Sequence, residues 1–278
     1  MNMDSDKINV CGDDGICFTM SNLLHRYHKV DQYLIDSLIY NYLWFSNPLD
    51  FNDPYDCELN LNTSNASYEE IYNYLKEGFD KDNRGRPYTY LEQRTKYLFS
   101  NPVEMEKCES NSNKDAVKQR GICCFSESDD SLLMWSHYAN KHKGVCLTFN
   151  VSKDKDIFTK HPYLVEYPPK YPVFNWPRDR GTFKPLRLLI STKSKEWEYE
   201  NEVRIVRNSY DVKDKYRGKV EFDKNALLAI KFGYKNDESE QITIKAILEK
   251  VGGYEHVKFY KAKLKRFEFG VEYEEIFS

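Results

Sequence analysis

Residues 197–206, WEYENEVRIV, carry Glu200, Glu202 and Arg204 at every second position, with Val203 and Ile205 between them. On a strand, side chains at period two share a face, so the charges are expected to point one way and the aliphatics the other. Two carboxylates entered past two aromatics, Trp197 and Tyr199, suit the wall of a cleft. A carboxylate in such a place can orient a ribose hydroxyl or stabilise developing positive charge, and needs only correct placement to do so. Glu202, ahead of Glu200, is where this chemistry is expected to rest. The plainer alternative is that Glu202 and Arg204 pair with charges on adjacent strands.

Three more segments mix aromatic rings, histidine and charge at element ends. In LLHRYHKV, strand alternation sets His25 and Tyr27 on one face and Leu24, Arg26 and His28 on the other. The planar fork of Arg26 could grip a phosphate or carboxylate, or simply pair with a surface acid. In LWFSNPLDFNDPYD, the loop bearing Asn52, Asp53 and Asp56 is stiffened by Pro48 and Pro54. Asx side chains in such loops usually bond their own backbone. Asp53, Asp56 and Glu58 also form a carboxylate set, without diagnostic metal-binding spacing. In CFSESDDSLLMWSHYANKHKGVC, Trp135 and Tyr138 could form a stacking platform, with His137 donating a hydrogen bond to a ligand. The competing reading makes His137 and His142 ordinary satisfied side chains near a helix end.

The elements that must position these residues follow from periodicity and turn signals. LLHRY (23–27) and YLWFS (42–46) read as strands, and DQYLIDSLIYN (31–41) between them reads as a helix started by Asp31. Residues 47–59 are a structured loop, and 64–116 are polar and helical, an insertion or lid broken at GRPY (85–88). GICCFS (121–126) and GVCLTF (144–149) are expected strands, with a helix between them capped by Ser128 or Asp129. Loops follow to residue 190, closed by a short helix in KPLRLLISTKSKE. KVEF (219–222) and NALLAIKFGY (225–234) are further strands, QITIKAILEKV (241–251) is a helix, and 257–273 form a closing strand or hairpin. Residues 1–22 form a loose arm or short hairpin. The simplest sum is a single α+β domain from residue 23 to 278, with a central, largely antiparallel sheet.

Composition narrows the function class. Of 278 residues, 40% are hydrophobic and 15% aromatic, enough to bury a core rather than remain a solvated tail. A net charge of -3 provides no global attraction to nucleic acid or anionic lipid, so any nucleic-acid site must be local. No apolar run approaches the ~18 to 20 residues of a membrane span. Met1 to Val10 lacks the apolar region of a signal peptide, so the seven cysteines are expected to be reduced thiols in a cytoplasmic protein. Neither Cys123-Cys124 nor His137 with His142 provides a zinc half-site.

Taken in order, LWFSNPLDFNDPYDCEL, ICCFSE, LLMWSHYANKHKGVCLTF and WEYENEVRIV resemble the bacterial domain-of-unknown-function family 2971, over about Leu23 to Gly233. The family name implies no activity. The chain also resembles ADP-ribosyltransferase-like folds, which combine a first strand bearing Arg or His, a middle strand of the LWFS kind and a late acid-x-Glu strand. That resemblance implies Arg26 or His25 on a phosphate or ribose, and Ser46 or Tyr138 in the middle role. It implies an aromatic stacked on nicotinamide and Glu202 on a nicotinamide-ribose hydroxyl. The substrate would be NAD, the partners a nucleotide ligand and a protein or nucleic-acid acceptor, and the setting a toxin or phage defence. Two other classes remain open: a metal-dependent nuclease using Asp53, Asp56 and Glu202, and a non-catalytic nucleotide- or protein-binding module.

Overall fold

The computed structural model describes residues 6–12, 15–57, 65–81, 85–172, 175–179, 184–209 and 217–277. The first half contains β1 (Lys7–Cys11), β2 (Cys17–Ser21), β3 (Leu23–His28), α1 (Gln32–Ile39), β4 (Tyr42–Phe45), α2 (Tyr68–Lys81), α3 (Tyr88–Ser100) and α4 (Pro102–Lys118). Then come β5 (Arg120–Ser126), α5 (Leu132–His137), β6 (Val145–Asn150), α6 (Lys155–Phe158), β7 (Pro162–Leu164), α7 (Trp176–Asp179) and α8 (Lys184–Ser191). The chain closes through β8 (Glu202–Asn208), β9 (Gly218–Glu221), β10 (Leu227–Phe232), α9 (Glu238–Val251), β11 (Lys258–Leu264) and β12 (Val271–Ile276).

An eight-stranded sheet in the order β12-β11-β10-β6-β3-β5-β8-β7 organises these elements into the expected α+β fold. Every neighbouring pair in it is antiparallel except β10 with β11. The largest core gathers Leu24, Phe125, Leu147, Phe149, Val203 and Ile205 from the sheet with Leu34 and Leu38 of α1 and Ile244 and Leu248 of α9. Both helices bury residues four apart, and each starts on an Asp cap: Asp31 accepts from Leu34 N, and Asp237 from Ser239 N.

The sheet is not evenly zipped. β3 pairs with β6 over six residues, Leu23↔Asn150 to His28↔Val145, and β5 pairs with β8 over seven. Between β3 and β5 only His25↔Ser126 pairs, so the sheet opens beyond that rung. Gly144 closes the neighbouring corner, because a Cβ there would lie 2.1 Å from the His28 carbonyl oxygen.

The helices α2, α3 and α4 occupy the polar section expected to be helical, and Ile71, Leu98 and Met105 give it a small core of its own. Three local expectations are corrected. The strand read over 197–206 begins only at Glu202, since Lys195–Glu200 coil into a 3-10 helix that ends at Asn201 in the left-handed region, φ 43°. The helix in LLMWSHYA is six residues long and is capped by Ser131, whose side chain accepts from Met134 N. Finally, β1 and β2 form the hairpin expected near the start, but Cys11 and Cys17 are joined in a disulfide, so not all seven cysteines are reduced.

Candidate functional site

The opening between β3 and β5 leads into a cleft of about 220 Å³. Its walls come from His25, Arg26, Tyr27 and His28 of β3, Cys124, Phe125 and Ser126 of β5, and Met134 and Tyr138 near α5. The floor adds Phe51, Asn52 and Asp56 of the loop after β4, with Lys193, Glu200 and Glu202. None of the lining residues belongs to α2, α3 or α4.

Glu200 and Glu202 reach this floor from different elements. Asn201 tolerates the left-handed turn between them, and β5 holds that turn in place: Ser126 Oγ donates to the Glu200 carbonyl at 2.6 Å, and Glu127 N donates to the Asn201 carbonyl. The Glu200 carboxylate accepts from the Tyr138 hydroxyl and from Lys193 Nζ, both at 2.5 Å. Lys193 lies 3.0 Å from Glu202 and 3.5 Å from Asp56. Arg204, with no exposed side-chain surface, donates Nε and Nη2 to Glu202 at 2.8 and 3.0 Å and grips Asp56 with two more bonds. Three carboxylates thus share two buried cations.

The electrostatics separate the two glutamates. Burial alone would raise the pKa of Glu202, but the Arg204 and Lys193 charges beside it hold it down at about 2. Burial pushes Glu200 the other way, above the usual carboxylate range, with Lys193 opposing. Glu202 is therefore held as an anion, while the neutral form of Glu200 is favoured more than in water. Tyr138 is raised by burial and by its bond to Glu200, and stays a neutral donor. On the opposite wall, burial lowers His25 and His28 to about 4, so both rings are neutral at pH 7. His25 Nδ1 meets Thr148 Oγ1 at 3.1 Å. Arg26 donates to Cys123 Sγ and stands over the Phe125 ring, and no carboxylate pairs with it among the described residues.

Of the residues singled out in the sequence, His25, Arg26, Tyr138, Glu200 and Glu202 converge on the cleft. Tyr27, His28, Asn52 and Asp56 line it as well, and the rest stand apart from it. Trp135 is fully buried, edge-on to Tyr27, with its indole N–H on the Asp129 carbonyl, so its ring is core rather than a stacking platform. His137 Nδ1 pairs with the Tyr199 hydroxyl at 3.1 Å outside the lining. Ser46 exchanges backbone hydrogen bonds with Ile122. Arg204 holds Glu202 and Asp56 from beneath instead of facing the cleft. In the Asx loop, Asp53 does accept from Tyr55 N as such loops do, whereas Asp56 is committed to Arg204. Glu58 lies outside the described residues, among which no three His, Cys, Asp or Glu side chains are grouped to hold a metal ion.

Two participants escaped the sequence reading: Lys193, in STKSK, and Phe51, which has no periodicity to mark it. The sequence marks Asn52 and Asp56 as loop Asx residues, and Asp56 also as a metal-binding carboxylate, but not as a partner of Arg204. The segment that carries half of this floor also carries a family match. Residues 134–205 match the model of the protein family of unknown function DUF2971. The match supports the family resemblance read from the motifs, over that segment. The DUF2971 segment contains Tyr138, Lys193, Glu200, Glu202 and Arg204, while His25, Arg26, Phe51, Asn52 and Asp56 lie before it. No curated protein and no solved structure gave a significant match to the chain.

Proposed function

We propose that the cleft binds the nicotinamide-ribose end of NAD and cleaves its glycosidic bond, passing ADP-ribose to a protein or nucleic-acid acceptor or to water. The observation that carries this reading is the polarity of the cleft. One wall presents Arg26, which has no carboxylate partner among the described residues, and the floor presents three carboxylates against two cations. A ligand with a cationic ring at one end and phosphates further along fits that separation. The cavity of about 220 Å³ suits a ring and a sugar, with the remainder of the dinucleotide lying outside it.

In the reaction, the C1′–N bond breaks and its electron pair neutralises the pyridinium nitrogen. The sugar carbon becomes oxocarbenium-like. Glu202, ionised and fixed by Arg204 and Lys193, would stabilise that charge without reorganising. Glu200 would take the proton of the attacking hydroxyl, with Tyr138 holding it in place. Such chemistry would serve a toxin or a phage-defence protein. The nuclease reading is not favoured, because Arg204 engages both Asp56 and Glu202. Nicotinamide release from NAD, followed with and without EDTA, tests the proposal: release that persists in chelator is expected, and no release from any preparation that binds NAD would defeat it.

A further inference from the structure

The loop 47–57 is as structured as its prolines and Asx residues suggest, and is tied to β8 as well. Asn47 caps the 3-10 turn Pro48–Asp50 by accepting from Leu49 N, and Phe51 N donates to the Pro48 carbonyl. Asp53 accepts from Tyr55 N, and Asp56 is clamped on Arg204. Between these fixed points lie Phe51 and Asn52, and both line the cleft. The Arg204 guanidinium stands over the Phe51 ring, 5.4 Å from its centroid. The ring is therefore held by the same cation that orients Glu202. Asn52 is exposed, and its side-chain amide makes no hydrogen bond among the described residues. Asn41, Asn47, Asn150, Asn175 and Asn225 all use theirs.

We infer that Phe51 and Asn52 select the ring end of the ligand, a planar ring carrying a carboxamide. This rests on the reading that a dinucleotide ring enters the cleft, and it adds which ring is accepted. The free amide of Asn52 offers one acceptor and two donors, which complement the donor and acceptor of a carboxamide edge. A ring carboxylate in its place presents acceptors only, and would face Asp56, Glu200 and Glu202 at close quarters. It loses a hydrogen bond and meets like charge. Phe51 adds apolar ring surface that serves amide and acid forms alike. The two residues therefore divide the work: Phe51 provides affinity, and Asn52 provides discrimination.

The test compares nicotinamide with nicotinate, and NAD with its deamidated carboxylate analogue, by calorimetric titration of the full chain. The wild type is expected to prefer the amide of each pair by about 10-fold or more. Asn52→Leu should reduce that ratio several-fold without lowering the melting temperature, since the side chain is exposed and unbonded. Phe51→Leu should weaken amide and acid together and leave their ratio intact. A ratio unchanged in Asn52→Leu overturns the inference, as does a wild type that binds neither ring. Should Phe51→Leu fail to fold, the Asn52 comparison still decides. The free rings separate this result from the enzymatic reading. Selective nicotinamide binding without NAD cleavage would sink the latter alone, and cleavage with an unchanged Asn52→Leu ratio would sink only the former.

Discussion

Arg204 and Asp56 meet in a two-point ion pair, Nη1 to Oδ1 and Nη2 to Oδ2, each at 2.7 Å. One residue is in the middle of β8 and the other ends the loop after β4, so the pair ties that loop to the strand carrying Glu202. Removing Asp56 from this buried network leaves Arg204 with Glu202 as its one carboxylate partner among the described residues and Nη1 with the Ile190 carbonyl. Asp56→Ala is expected to destabilise the fold by about 3–5 kcal/mol in denaturant titration. A loss under about 1 kcal/mol would mean that Glu202, with water in the vacated place, satisfies Arg204 by itself.

The two glutamates should respond differently to the same change. Glu202→Gln keeps the shape but removes the fixed negative charge, and should lower NAD cleavage by about 100-fold or more. Glu200→Gln removes a group that must be ionised to act as a base and whose pKa burial has raised. Its signature is the loss of the acid limb of the pH–rate profile. If the limb survives in Glu200→Gln, another group accepts the proton.

Acid should weaken the fold through two buried histidines. His25 faces Asp129, Lys231 and Asp130, and His28 faces Arg26, Asp31 and Lys29; burial holds both at about 4 against 6.5 unfolded. Because the folded pKa is depressed, the unfolded chain binds more protons below pH 6.5, and stability falls as the pH drops toward 4. Each histidine removes about 3 kcal/mol over that range. Melting temperature against pH in the wild type, His25→Gln and His28→Gln checks this, and the variants should show shallower slopes.

The hairpin disulfide makes an independent prediction. Cys11 and Cys17 are six residues apart, and closing so small a loop in the unfolded chain is worth about 2 kcal/mol. Reductant should lower the denaturation midpoint accordingly, and Cys11→Ser should abolish that sensitivity. Ligand binding should be unchanged, because neither cysteine lines the cleft.

Much of the fold was legible because periodicity reports local geometry. Leu34 and Leu38 marked α1, and the alternation of Val203 and Ile205 with Arg204 correctly divided β8 into an aliphatic face and a charged one. The same alternation overreached at Glu200. Period two continues through the charges, but pairing with β5 begins at Ser126↔Glu202, and only Asn201, a residue at ease in the left-handed region, hinted at the break. The site was half legible. Glu200, Glu202, Tyr138 and Arg26 stood out by type and Asp56 by its carboxylate, whereas Lys193 and Phe51, and the tie of Asp56 to Arg204, come only from long-range packing. Trp135 misled for a related reason: a ring beside histidine and tyrosine looks available, and its burial against Tyr27 comes from β3, more than a hundred residues earlier in the chain.

The single rung His25↔Ser126 makes the large sheet a pair of leaves, one running from β12 to β3 and the other from β5 to β7. The cleft occupies the gap, with Arg26 on one leaf and Glu202 on the other. A ligand bound as proposed would bridge the two leaves. Its arrival would stiffen strands that it never touches, so amide exchange along β6 and β8 would slow together.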